Sequence, residues 1–263
     1  MKLKLILEFI SYRIRRPHRN GHGIHSPFLF ALVLNVLYKK SSVINAVSHI
    51  LKVRKRMLSN NEALVIEDFG AGSARISTRE RKISDIARYS SISPKYGQLM
   101  YDLVTYLKPK TIIELGTGLG LGTMYMASAY EDTKVFTIEG SKSLLNKANE
   151  NYSSLNFSNI MTRQGNFDDV LPVLLKEIDK FDLMFIDGNH TKEATIRYFE
   201  LCLPHVKNNS VIIFDDIRWS AEMQQAWLEI CRNKNVRISL DLFKLGIVFF
   251  NEKIIKQRFE LYY

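Results

Sequence analysis

From about residue 98 onward, short apolar runs alternate with segments of helical period, and the alternation predicts an architecture. A helix over 98–107 leads to Thr-Ile-Ile-Glu-Leu at 111–115. Val-Phe-Thr-Ile-Glu ends at Glu139 and a helix follows over 141–151. A short strand near 159–163 precedes Gly-Asn-Phe-Asp-Asp. Phe-Asp-Leu-Met-Phe-Ile-Asp ends at Asp187 before a helix over 191–202, and Ser-Val-Ile-Ile-Phe-Asp-Asp ends at Asp215 and Asp216 before a helix over 220–232. Apolar runs of this length read as strands covered on both faces. Strands alternating with helices imply a parallel sheet with right-handed crossovers. Arg-Ile-Ser-Leu-Asp-Leu and Gly-Ile-Val-Phe-Phe, joined by a tight turn at Phe243 to Gly246, read as a closing antiparallel hairpin. The fold class expected is α/β: a doubly wound, mostly parallel seven-stranded sheet with that hairpin and an N-terminal helical extension.

The extension is set at residues 1–90, before a main domain over 91–263. Ser26 followed by Pro27 is a cap and first-turn signal for a helix over roughly 27–40, and a second helix is expected over 42–57. Asp68-Phe-Gly70-Ala-Gly72 imitates a glycine-rich binding turn, but a charged stretch, Arg-Glu-Arg-Lys-Ile-Ser-Asp-Ile-Ala-Arg, follows it. The Asp68–Gly72 segment therefore reads as a loop, part of an active-site lid, rather than as a second binding turn of a βα unit.

The clearest chemistry lies at 111–123, where the first core strand runs through Glu114 into glycines at 116, 118, 120 and 122. Glycines let the backbone turn tightly and approach a ligand with no Cβ in the way. A dinucleotide fingerprint, G-x-G-x-x-G, fits neither frame: its last position falls on Leu121 or Thr123. Ligands of open α/β sheets sit over the carboxyl ends of the strands. Glu139, 25 residues after Glu114, ends the second strand, where a carboxylate can accept both ribose hydroxyls of an adenosine moiety. Asn166 or Asp168 could bond the adenine, with Phe167 packed on its face.

Asp187, Asp215 and Asp216 end neighbouring strands and are expected to converge. Three carboxylates together repel unless protonated or bridged by a cation. Hard oxygen ligands favour Mg²⁺ or a similar ion, which would hold a substrate hydroxyl and lower its pKa. His190 stands three residues beyond Asp187, and histidine is a side chain suited to general-base work at neutral pH. The bland alternatives are a helix-capping His and strand-end acids without metal.

The net charge of +10 is placed unevenly. Residues 1–60 hold twelve Lys or Arg against one acid, Glu8, whereas the remainder holds 25 basic and 26 acidic residues. The front end could therefore meet a membrane surface or an acidic partner. Its first sixteen residues could form a helix with Leu3, Ile6 and Ile10 on one side; simple solvation of the basic groups is the competing view. No Asn-Pro-Pro-Tyr-type motif appears and the core has no excess positive charge, which argues against nucleic acid. Glu8 and the following Arg-Ile-Arg-Arg argue against a signal peptide, and the longest apolar stretch, Phe28 to Tyr38, is too short to span a bilayer. Cys202 and Cys231 lack metal spacing and read as reduced core residues. A cytoplasmic location, extending to the periphery of the inner membrane face, is expected. His18, His22 and His25 crowd one basic loop with no acid or Cys nearby.

Glu114-Leu-Gly116-Thr117-Gly118, with Gly120, resembles motif I of the class I S-adenosylmethionine-dependent methyltransferases. The similarity extends over roughly 92–250 to catechol O-methyltransferase-like and macrolide-sugar O-methyltransferases. It implies a donor site of Glu114, Gly116, Thr117, Gly118, Gly120, Glu139, Asn166, Phe167 and Asp187. It also implies a metal site of Asp187, Asp215 and Asp216, with His190 and Asp187 catalytic. The catechol enzymes have Asp-Asn at the pair and a lysine three residues after the first Asp; here stand Asp-Asp and His190, closer to the sugar enzymes. The resemblance implies an S-adenosylmethionine-dependent, divalent-metal-assisted O-methyltransferase acting on a small-molecule or glycosylated hydroxy acceptor. Two alternatives stay open: a metal-independent methyltransferase whose nitrogen, lipid or nucleic-acid acceptor is brought by the basic extension, and a non-catalytic cofactor-binding protein.

Overall fold

The computed structural model describes residues 26–39, 47–67 and 80–263, with Phe9, Ile10, Tyr12 and Ile24. Most of the basic first sixteen residues, the His18–His25 loop except Ile24, and the Asp68–Gly72 turn lie outside the described residues. The chain divides into two compact units, one of residues 40–179 and one of residues 1–39 with 180–263. The first described helix, α1 (Pro27–Leu32), is capped by Ser26, whose hydroxyl accepts from the Leu29 N–H, and continues as a π-helical stretch, Val33–Leu37.

In the 40–179 unit, α2 (Ser48–Leu58) buries Ile50, Val53 and Met57, one stripe at helical spacing. A two-stranded antiparallel ribbon follows, β1 (Ala63–Val65) with β2 (Glu80–Lys82), and then α3 (Ile83–Tyr89). The charged stretch beyond the Asp68–Gly72 loop thus supplies a strand and a helix, where no βα unit was expected, while the loop itself lies outside the described residues. Ile83, Ile86 and Ala87 are buried on one face of α3, and this apolar spacing decides the outcome over the charges around it. α4 (Pro94–Leu107) begins four residues before the expected position because Pro94 occupies its first turn.

The glycine turn connects β3 (Thr111–Leu115) to α5 (Leu121–Ala127). β4 (Lys134–Glu139), α6 (Lys142–Ser154), β5 (Ile160–Gln164) and α7 (Phe167–Ile178) complete the unit. Its main strands are parallel in the order β3-β4-β5, with Glu114 level with Thr137 and Glu139 level with Gln164.

In the other unit, β6 (Leu183–Ile186), α8 (Lys192–Cys202), β7 (Val211–Phe214) and α9 (Ala221–Arg232) precede β8 (Ile238–Asp241) and β9 (Gly246–Phe249). Every residue of β6 and β7 is buried, as parallel strands covered on both faces require. The expected hairpin is present: β8 and β9 pair antiparallel, and β9 pairs antiparallel with β7. A further strand, β10 (Gln257–Glu260), pairs parallel with β8, one more than the seven strands expected. Cys202 and Cys231 are free and buried. Among the described residues no helix is long and apolar enough to cross a membrane.

Candidate active site

In the 40–179 unit, backbone conformation makes the glycine turn. Gly116, Gly118 and Gly120 have φ of 97°, 54° and 82°, the left-handed region that a side chain resists. A Cβ added at Gly120 would stand 2.5 Å from the Tyr152 ring, so this glycine is also required by close packing. Among the described residues, a Cβ at Gly118 would meet nothing within 4 Å, so the turn is open to them there.

Glu139 reaches this open turn. Its carboxylate accepts the Gly118 N–H at 2.8 Å and the Ser141 N–H at 2.9 Å. Two backbone donors from consecutive turns thus fix an acid at the strand tip, beside a glycine with free space above it.

Glu114 is placed differently. It is buried within the unit, where Thr123 and Thr137 donate to its Oε2 at 2.5 and 2.6 Å, and Tyr152 donates to Thr123 at 2.9 Å. The Thr117 hydroxyl shares a 2.6 Å hydrogen bond with Thr137. Burial pushes the Glu114 carboxyl up to about 7, against the two threonine hydrogen bonds, and the Glu139 charge adds to the rise. Glu114 thus braces the turn from beneath, through side chains that spacing in the sequence does not connect.

Asn166 caps α7, its Oδ1 accepting the Asp168 N–H at 3.2 Å, and Phe167 and Asp168 open the helix partly exposed.

The second cluster lies in the unit that contains β6 to β10. Asp187 follows β6, and Asp215 and Asp216 follow β7. They converge: burial first, then the charge of Asp215, pushes the Asp187 carboxyl well above the usual carboxylate range, and Asp216 is raised by the same causes in the same order. His190 Nε2 stands 3.6 Å from Asp187 Oδ1. Asp215 Oδ1 accepts the Asp216 N–H at 2.8 Å, which holds the pair in register while Asp216 adopts a φ of 51°.

The residue missed by sequence reasoning is Lys244. Its Nζ lies 2.7 and 2.6 Å from the two oxygens of Asp215 and 3.1 Å from Asp216 Oδ1. Burial alone would lower the ammonium pKa; the charges of Asp215, Asp216 and Asp187 outweigh it and raise it. The three acids expected to gather for Mg²⁺ do gather, but with a lysine among them. A lysine takes both oxygens of Asp215, and among the described residues no group of His, Cys and acidic side chains is arranged to hold a metal ion. As they stand, these residues do not fit a resident divalent ion.

Residues 113–217 match the family described as methyltransferase domain, Methyltransf_24. The structure overlays, at a TM-score of 0.60, on the methyltransferase PaMTH1 of Podospora anserina solved with S-adenosylhomocysteine; identity is 14%, over 86% of this chain and 97% of that one. The chain has the fold of the class I methyltransferases. An O-methyltransferase from Bacillus cereus, also solved with S-adenosylhomocysteine, overlays at a TM-score of 0.53 with 20% identity, over 84% of this chain and 97% of that one. A catechol O-methyltransferase of Niastella koreensis is 30% identical over 130 residues, 48% of this chain and 58% of the relative, so the chain spans little more than half of that relative's length.

Proposed function

We propose that the protein is an S-adenosylmethionine-dependent O-methyltransferase acting on the hydroxyl of a small or glycosylated acceptor. The observation that carries the reading is Glu139, held by the Gly118 and Ser141 amides at the edge of a turn with open space over Gly118. A carboxylate so fixed can accept two ribose hydroxyls, and the bare glycine backbone lets the donor lie close. The name of the catechol O-methyltransferase relative supports oxygen as the acceptor atom.

In the reaction, the acceptor oxygen attacks the sulfonium methyl. The O–CH₃ bond forms as the S–CH₃ bond breaks, and S-adenosylhomocysteine and a methyl ether leave. The acceptor proton must pass to a base. His190, whose Nε2 stands 3.6 Å from Asp187 Oδ1, has chemistry suited to that step. No step is routed through a divalent ion, because Lys244 already supplies positive charge to the acids.

The test is transfer of labelled methyl from S-adenosylmethionine to a panel of phenols, catechols and glycosides, with and without EDTA. The reading expects product with at least one hydroxy compound, and a large loss of kcat in His190→Ala with little change in KM for the donor. Methylation confined to amines would overturn it.

A further inference from the structure

We propose that Lys244 is the resident cation of the Asp187–Asp215–Asp216 cluster and keeps divalent ions out of it. The proposal concerns the unit of residues 1–39 and 180–263 alone, and its geometry stands independently of the methyl-transfer reading. The Lys244 Nζ contacts both oxygens of Asp215 at 2.7 and 2.6 Å and reaches Asp216 at 3.1 Å. A magnesium ion on those oxygens would need distances of roughly 2.0–2.1 Å, placing it in like-charge contact with the ammonium. One cation has to leave before the other can enter.

The backbone that presents Lys244 is fixed on every side. Leu242 N–H donates to the Leu245 carbonyl at 2.8 Å, and Lys244 N–H to the Leu242 carbonyl at 2.9 Å. The Lys244 carbonyl accepts the Ile217 N–H at 3.1 Å, tying the lysine to the loop just after Asp215 and Asp216. Phe243 sits at a φ of 69°, a conformation that a bulky residue keeps only when its surroundings impose it. Those surroundings are present: Asp241 Oδ1 accepts the Phe243 N–H at 2.9 Å, and Phe9, Tyr12 and Arg218 pack on its ring. Asp241, fully buried, is paired to Arg218 at 2.7 Å. An exposed turn of four residues needs none of this bracing. Here it aims one ammonium at two carboxylates.

The test is Mn²⁺ binding to the full chain by electron paramagnetic resonance, without donor or acceptor. Wild type is expected to bind weakly or not at all. Lys244→Met should bind Mn²⁺ tighter by about tenfold or more, because the ammonium no longer occupies the oxygens. Lys244→Arg should show no gain, and Asp215→Asn added to Lys244→Met should abolish it. Wild type that binds as tightly as Lys244→Met, with affinity lost in Asp215→Asn, would overturn the proposal, as would a folded Lys244→Met that gains nothing. If Lys244→Met does not fold, Lys244→Gln takes its place under the same criteria. Loss of S-adenosylhomocysteine binding would refute methyl transfer and leave this result intact, since Mn²⁺ is read without either substrate.

Discussion

Glu114→Gln should change how stability depends on pH, and the size of the change follows from where the carboxyl sits. The side chain is 1% exposed, its hydrogen-bond donors are the hydroxyls of Thr123 and Thr137, and burial moves it from an ordinary 4.5 to about 7. A carboxyl whose folded pKa lies above its unfolded value binds its proton more tightly when folded. Its contribution is then present at low pH and is lost as pH rises from about 4.5 through about 7. At about 1.4 kcal/mol per unit, the change across that window is on the order of 3 kcal/mol. Glutamine keeps the shape, and the threonine hydroxyls can reorient to meet its amide, but nothing titrates. Every other group is common to both proteins, so the difference between wild type and Glu114→Gln isolates this one. Urea unfolding followed by circular dichroism at pH 4.5 and pH 8 should show the variant gaining about 3 kcal/mol relative to wild type between the two. A difference that stays constant across the range would refute the argument that this carboxyl is charged against its surroundings at neutral pH.

Gly120→Ala should lower stability by about 2 kcal/mol or more, since a residue with a Cβ resists a φ of 82° and the new methyl would press on the Tyr152 ring; an unchanged Tm by calorimetry would contradict the packing described. Arg218→Ala leaves the fully buried Asp241 without its ion-pair partner and should cost about 3 kcal/mol, measured by urea unfolding, with Asp241→Asn in the same chain recovering part of the loss. His190→Ala should reduce kcat more than it affects donor binding, and buffer imidazole should restore part of the rate; equal loss of both would make the histidine a structural residue.

Much of the sheet is legible in the sequence because parallel strands covered on both faces have few polar choices. Val-Ile-Ile-Phe at β7 and Leu-Met-Phe-Ile at β6 could be little else between helices. Gly116, Gly118 and Gly120 fall where φ is positive, and Glu139, Asp187 and Asp215 fall at strand tips, as their spacing predicts. What escapes the reading has local causes. Gln-Arg-Phe-Glu at β10 contains one apolar residue, and its pairing comes from the backbone of β8 rather than from any pattern of its own. The stripe of Ile83, Ile86 and Ala87 is hidden among charges that the helix turns to solvent. Lys244 is separated from Asp215 by 29 positions, in a turn where a lone lysine carries no signal of what it faces. Glu114 looks like a ligand contact from its motif, and only the threonines across from it reveal that it is a buried brace.

The central claim, that Glu139 and the glycine turn hold the methyl donor, is tested most directly by calorimetric titration with S-adenosylhomocysteine. Wild type should bind one equivalent, and Glu139→Ala should weaken binding by about tenfold or more, the loss of one or two hydrogen bonds to a charged acceptor. Binding of equal strength in both proteins, or none in either, would contradict the account.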